Sequence, residues 1–318
     1  MQTNRINYID IAKSFAIISV VVWHVLIADL YAFNDVWNSS LIKFIGPYQM
    51  PLFMFLSGLV SVVVKPKNGV LQDVIKRAKQ LLVPFLVVAS IFSLWKEHSL
   101  GFVFDTFKWE YWYLWVLFVY YIASYGLIGG GKTGIKYFLL FVIWFILTRF
   151  VGMIPETVSN ILSAELVVRY FPYFLMGNFV KRYQLHEKLF GNHILLYLSV
   201  LIWMCSSFFA FHYGDYIVSS AEILIIMNIC KKMDDKNLKI NKILLNIGQN
   251  TLYIYVFHYF ALEFMITSYF QPFLANYSCL YIDLLLAALP AFGAVCFSLA
   301  IKWFIEQDKF IMKYVFGK

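Results

Sequence analysis

Residues 9–30 read IDIAKSFAIISVVVWHVLIADL, and this stretch decides the fold. A helix crossing the hydrocarbon core of a bilayer needs about 20 mostly apolar residues. The run reaches that length, is too long for a signal-peptide core and lacks a small-residue cleavage site, so it is expected to stay in the membrane as a first span. Working outward, further apolar runs cover 44–64, 81–95, 111–128, 135–151, 166–180, 193–211, 216–230, 249–270 and 280–304. The third, sixth and eighth spans are short, which leaves merging or re-entry open there. The expected fold is an all-α integral membrane protein of about ten transmembrane helices, with residues 1–318 forming a single transmembrane domain.

Composition points the same way. Of 318 residues, 61% are hydrophobic, 20% aromatic and 14% charged. An ordinary soluble domain carries about 25% charged and 45–50% apolar residues. A globule of this size cannot bury so much apolar side chain, which argues against a soluble enzyme. The formal charge of +8 reads as loop cations that set orientation and meet anionic lipid. No zinc-finger spacing or RNA-binding signature is present, so no nucleic-acid partner is expected. With the amino terminus inside, 21 of the 26 lysines and arginines fall in inner segments, among them Lys65, Lys67, Lys132, Lys136, Lys231, Lys232 and Lys318. Only Lys43, Lys96, Lys108, Arg149 and Arg169 fall outside. Shifting the count by one span would destroy that asymmetry, so both termini are expected in the cytoplasm. Cys205, Cys230, Cys279 and Cys296 form no CxxC pair or metal-type cluster. They read as small buried apolar residues, and no metal is expected.

The connections are short, so chemistry must use residues in or beside the helices. Lys13 and His24 are eleven positions apart, three helical turns plus about 20°, which puts them on one face ~16 Å apart along the axis. An ionisable group as deep as His24 usually faces a polar cavity, although a neutral histidine bonded between helices is the bland alternative. Asp10, three residues before Lys13, is placed to orient it. The second span opens Gly46-Pro47-Tyr48-Gln49-Met50-Pro51, which implies a broken or kinked entry. It continues to Ser57-Gly58, where helices can approach closely. Lys76, Arg77 and Lys79 gather at the start of the third span. They suit either lipid headgroups or a polyanionic cytoplasmic ligand such as coenzyme A. Trp109-Glu110-Tyr111-Trp112-Tyr113 is an aromatic belt by default, though rings beside Glu110 also suit carbohydrate stacking. The ninth span carries a second in-membrane histidine, His258.

In order along the chain stand Tyr8-Ile9-Asp10 with Lys13 separated from His24 by ten intervening residues, and Met50-Pro51-Leu52-Phe53 leading to Ser57-Gly58. The basic run before Leu81-Leu82-Val83-Pro84-Phe85 comes next. Trp112-Tyr113-Leu114, Phe171-Pro172-Tyr173-Phe174 to Gly177, and Ile247-Gly248 to His258 complete the series. On these residues the chain resembles the acyltransferase 3 family, membrane enzymes that O-acetylate extracytoplasmic glycans and related acceptors. The family often has two arginines separated by two residues in the basic run. Lys76 and Lys79 fill that spacing here, which reduces bidentate phosphate recognition.

The resemblance implies a membrane acyltransferase that moves an acetyl group from cytoplasmic acetyl-coenzyme A to a sugar or polysaccharide hydroxyl at a bacterial cell membrane. It makes His24, Lys13 and Asp10 the expected catalytic group, with Arg77, Lys76, Lys79 and Lys13 holding the donor's phosphates. Ser57, Trp112, Tyr113, Arg149, Glu165, Arg169 and His258 are the expected acceptor residues, although a solvated loop explains some of the charged ones equally well. His24 would act as general base or as a transient acyl carrier. A transporter or flippase for a glycan precursor is the alternative, but it calls for paired halves with matching broken helices, and no such pairing is visible.

Overall fold

The computed structural model describes residues 5–31, 37, 39–61, 69–97, 99–125, 133–206, 214–264, 268–277 and 279–316. Among the described residues every regular element is helical and there is no strand. In lipid each backbone N–H and C=O must be satisfied within its own segment, which a helix achieves. The α-helices are α1 Asn7–Val25, α2 Ser40–Ile45, α3 Gln49–Val60, α4 Val70–Glu97, α5 Trp112–Tyr125, α6 Thr133–Phe150, α7 Glu156–Leu162 and α8 Ala164–Arg182. They continue with α9 His186–Leu189, α10 His193–Ser206, α11 Gly214–Asp235, α12 Asn241–Gln249, α13 Thr251–Leu262, α14 Gln271–Tyr277, α15 Leu280–Gln307 and α16 Lys309–Tyr314. Four helical stretches among the described residues are long and apolar enough to cross a membrane: Asn7–Ala28, Val70–Lys96, Gly134–Met153 and Leu280–Gln307. Helices α5, α10 and α13 are shorter but equally apolar in character.

Several boundaries differ from the sequence reading for local reasons. The second run divides at Gly46-Pro47-Tyr48 into α2 and α3, the broken entry its prolines imply. Helix α4 starts at Val70 rather than near residue 81, so the basic run lies within the helix, not ahead of it. Nothing between Val70 and Pro84 breaks a helix, and charged residues are strong helix formers. The ninth run is split at Asn250, whose backbone (φ −115°, ψ 19°) leaves the helix while its side-chain amide donates to the Asn246 carbonyl at 2.7 Å. The cysteines are all free, but only Cys230 is buried, and Cys205 and Cys296 are exposed. An apolar position in a membrane helix need not face protein, because lipid satisfies it equally well. The expected inner cations Lys65, Lys67, Lys132 and Lys318 lie outside the described residues.

The chain divides into two compact units, one of residues 1–56 and 184–302, the other of 57–183 and 303–318. In the first, α1 is the central helix, with 67% of its apolar window buried, and it packs on α11, α12 and α13. Gly248 allows this approach: a Cβ there would sit 1.8 Å from the Asp10 carbonyl oxygen. At its C-terminal end α1 loosens into a π-helical turn, Leu26–Leu30, with the Tyr31 N–H reaching the Leu26 carbonyl at 2.8 Å. Fully buried Asp283 of α15 then accepts from the Tyr31 and Ser39 hydroxyls, both at 2.6 Å.

In the second unit α4 packs on α5, and both α5 and α6 pack on α8. Only 6% of the α6 window is buried, so that helix is peripheral within its unit. A Cβ at Gly58 would lie 2.0 Å from the Phe174 carbonyl oxygen, so the small residue is required for close packing on α8. Between α4 and α5, Lys108, Trp109 and Glu110 make a left-handed turn with φ of 51°, 53° and 67°. The buried Lys108 ammonium holds this turn by donating to the Asp105 and Asn160 carbonyls, each at 2.6 Å.

Candidate active site

The helix that decides the fold also carries a buried histidine into the protein. His24, near the end of α1, is 7% exposed. Helix α13 supplies its partners: the Tyr259 hydroxyl lies 2.6 Å from His24 Nδ1 and 2.8 Å from Nε2. One hydroxyl serves one ring nitrogen at a time, so the imidazole tautomer selects the bond and its direction. His258 is adjacent, its ring centroid 5.3 Å from that of His24. Successive residues on a helix are separated by 100°, so His258 and Tyr259 present two neighbouring directions of α13 toward the same imidazole.

His258 has a defined tautomer. Its Nδ1–H donates to the Ile254 carbonyl at 3.0 Å, because a carbonyl can only accept. The lone pair therefore resides on Nε2, which is buried and has no hydrogen-bond partner. The cluster thus unites two imidazoles and a phenol, with one ring nitrogen open as a hydrogen-bond acceptor.

Toward the start of the same helix, Lys13 Nζ donates to Asp10 Oδ1 at 3.1 Å, the orientation their spacing suggests. Arg5 pairs with the other oxygen of this buried carboxylate. The two groups occupy opposite ends of α1. The basic run of the second unit does not converge. Arg77 turns inward, its guanidinium 4.6 Å from the Tyr121 ring centre, whereas Lys76 and Lys79 are exposed. Helical spacing causes this: Lys76 and Lys79 lie about 60° apart, with Arg77 on another face.

A family model for the acyltransferase domain matches residues 6–306, nearly the whole chain. The chain belongs to the acyltransferase 3 family. The chain is similar to the nodulation protein NolL of Mesorhizobium japonicum, 31% identical over 132 residues that cover 37% of this chain and 35% of that protein. It is also similar to NolL of Sinorhizobium fredii, 26% identical over 219 residues, covering 64% of this chain and 55% of the relative. The matches therefore span about half of these relatives' lengths or less. No solved structure matches the chain.

The remaining expected site residues lie in the second unit. The Ser57 and Tyr113 hydroxyls are paired at 2.7 Å. Trp112 stacks on Tyr170 (centroids 5.2 Å, 18° between planes), and the Arg169 guanidinium lies 5.8 Å from the same tyrosine ring. Glu165 is exposed one helical turn before Arg169, and exposed Arg149 lies over Phe145 at 5.4 Å. Burial pushes the Glu110 carboxyl up to about 7, with the Asp105 charge adding to it. Lys108 is lowered to about 8 by burial, which the Asp105 charge partly opposes.

Tyr259 is the site residue that sequence reasoning missed. Its only signal was adjacency to His258, and tyrosine at a membrane helix end ordinarily reads as an interfacial anchor. His258, expected among the acceptor residues, stands beside His24.

Proposed function

We propose that this membrane acyltransferase moves an acetyl group from cytoplasmic acetyl-coenzyme A to a hydroxyl of an extracytoplasmic or lipid-linked sugar. The observation that carries the reading is the buried His24–Tyr259–His258 cluster in a chain of an acyltransferase family. Transfer requires a base that takes the hydroxyl proton as the oxygen attacks the thioester carbonyl. The carbon–sulfur bond then breaks, and the proton passes to the departing sulfur. An imidazole suits both steps, since its unperturbed pKa of about 6.5 lies near working pH. His24 is the proposed base, Tyr259 holds its ring, and His258 Nε2 is a second proton acceptor. Asp10 fixes Lys13 on the same helix.

In this reading the phosphates of the donor fall to Arg77, Lys76 and Lys79 of the second unit. Ser57, Tyr113, Trp112, Arg149, Glu165 and Arg169 are the proposed acceptor residues of the second unit. The chain crosses a bacterial cell membrane about ten times with both termini inside, as its loop cations direct.

The test uses the full-length protein in lipid nanodiscs, supplied with acetyl-coenzyme A and candidate sugars, with free thiol as the readout. Acceptor-dependent thiol release is expected. His24→Ala should keep the melting profile and lose at least about 100-fold in rate. A variant as active as wild type removes His24 from the mechanism, and thiol release from no sugar removes the enzyme reading.

A further inference from the structure

Three carboxylates are buried among the described residues: Asp10, Asp283 and Glu222. Asp10 is met by Arg5 and Lys13, and Asp283 by the Tyr31 and Ser39 hydroxyls and the Leu41 N–H. Glu222 is different. It sits in the middle of the 22-residue helix α11, 6% exposed, with the Trp203 side chain as hydrogen-bond donor. Its Oε2 is buried without a partner. A buried carboxyl with an oxygen left unmet is costly to keep.

A second unsatisfied acceptor lies on the facing turn. Ser219, one helical turn before Glu222, donates to the Pro47 carbonyl at 2.6 Å and so seats the 47–49 turn against this side of α11. Gln49, at the end of that turn, is 6% exposed, and its Oε1 is also buried without a partner. Tyr48, between Pro47 and Gln49, is within electrostatic reach of Glu222, and its hydroxyl is paired with Ser19 at 2.9 Å. Phe44 stands edge-on to both Tyr48 and Trp203, at 6.1 and 6.4 Å. The turn also abuts α1 close to the active site, since a Cβ on Gly46 would lie 3.1 Å from the Trp23 ring, next to His24.

Two acceptor oxygens beside aromatic faces call for a ligand that brings O–H donors on an apolar frame. An unmet buried acceptor carries the whole desolvation penalty, which a ligand hydroxyl would relieve. A calcium ion would require six to eight oxygens, and this cluster offers far fewer. We propose that Glu222 and Gln49 form a subsite that binds hydroxyl groups of the acceptor sugar, with the Trp203 and Tyr48 rings flanking it. The identity of the ligand rests on the acyl-transfer reading above. The binding chemistry rests on this cluster alone.

The test compares wild type, Glu222→Gln and Gln49→Leu as full-length protein in nanodiscs with no acyl donor present. The probes are methyl glycosides of glucose, galactose, N-acetylglucosamine, rhamnose and fucose, followed by tryptophan fluorescence, with Trp203→Phe identifying the reporter ring. At least one glycoside is expected to change the wild-type signal at millimolar concentration. Each variant should weaken binding about tenfold or more, the size expected for one hydrogen bond to a buried group. Glu222→Gln retains the side chain's shape, and a melting profile checks that both variants fold. The subsite is refuted if no glycoside acts on wild type, if both folded variants bind as wild type does, or if sodium or choline reproduces the response. Glycoside binding that depends on Glu222 in a protein that never consumes acetyl-coenzyme A would uphold the subsite and overturn the transfer reading. Acetyl transfer with an acceptor KM unchanged in both variants would do the reverse.

Discussion

Replacing Gly248 by alanine tests whether the close approach of α12 to α1 builds the active site. A Cβ at this position would lie 1.8 Å from the Asp10 carbonyl oxygen, 2.7 Å from its carbon and 3.2 Å from its Cα. All three are backbone atoms, so no rotamer change relieves the clash. Ordinary contact begins at 3.4 Å, and the two helices must therefore part locally by about 1.6 Å. Overpacking of this kind costs about 1–3 kcal/mol, with backbone against backbone at the upper end. That corresponds to a fall in apparent Tm of about 5–10 °C. Helix α12 leads into α13 through Asn250 alone, so the displacement reaches Tyr259 and His258. The Tyr259–His24 contacts of 2.6 and 2.8 Å are too short to survive it. A misplacement of about 1 Å costs about 100-fold in rate. Melting and acceptor-dependent thiol release would be measured together, with Gly152→Ala as control because a Cβ there meets nothing within 4 Å. If Gly248→Ala matches that control in both measurements, the packing argument is wrong.

Tyr259→Phe removes the hydroxyl and keeps the ring, so transfer should fall about 10–100-fold while melting shifts little; an unchanged rate and pH profile would exclude Tyr259 as the group that positions His24. Asp283→Ala leaves the Tyr31 and Ser39 hydroxyls without their acceptor and should cost about 3 kcal/mol or more. Asp283→Asn retains an acceptor and should cost less, a ranking that thermal melting checks. Glu110 holds its proton to about pH 7 when folded, against a usual 4.5, so the folded state binds more protons between these values. Stability should accordingly fall as pH rises from 4.5 to 7, and Glu110→Gln should flatten that slope in apparent Tm. Lys108, at about 8 instead of 10.5, acts in the opposite sense and adds stability as pH rises from 8 to 10.5.

The class of protein was written in the chain itself. An apolar run such as 9–30 has one physical outcome in lipid, because helical hydrogen bonding is local and needs no distant partner. Asp10 and Lys13 were readable for the same reason, being three residues apart on one helix. Family membership followed from motifs that keep their order. Other features depended on residues far apart in sequence. Whether Cys205 and Cys296 face protein or its exterior is a matter of packing, which hydrophobicity does not encode. Arg77 parts company with Lys76 and Lys79 because α4 begins eleven residues earlier than its apolar run. His24 meets Tyr259 across 235 positions, and the turn that carries Gln49 is seated against α11 by the Ser219 hydroxyl. Local periodicity assigns each residue to a face. Which face meets which, and which buried polar atom is left without a partner, is set by the tertiary packing of helices that lipid alone would leave free to rotate.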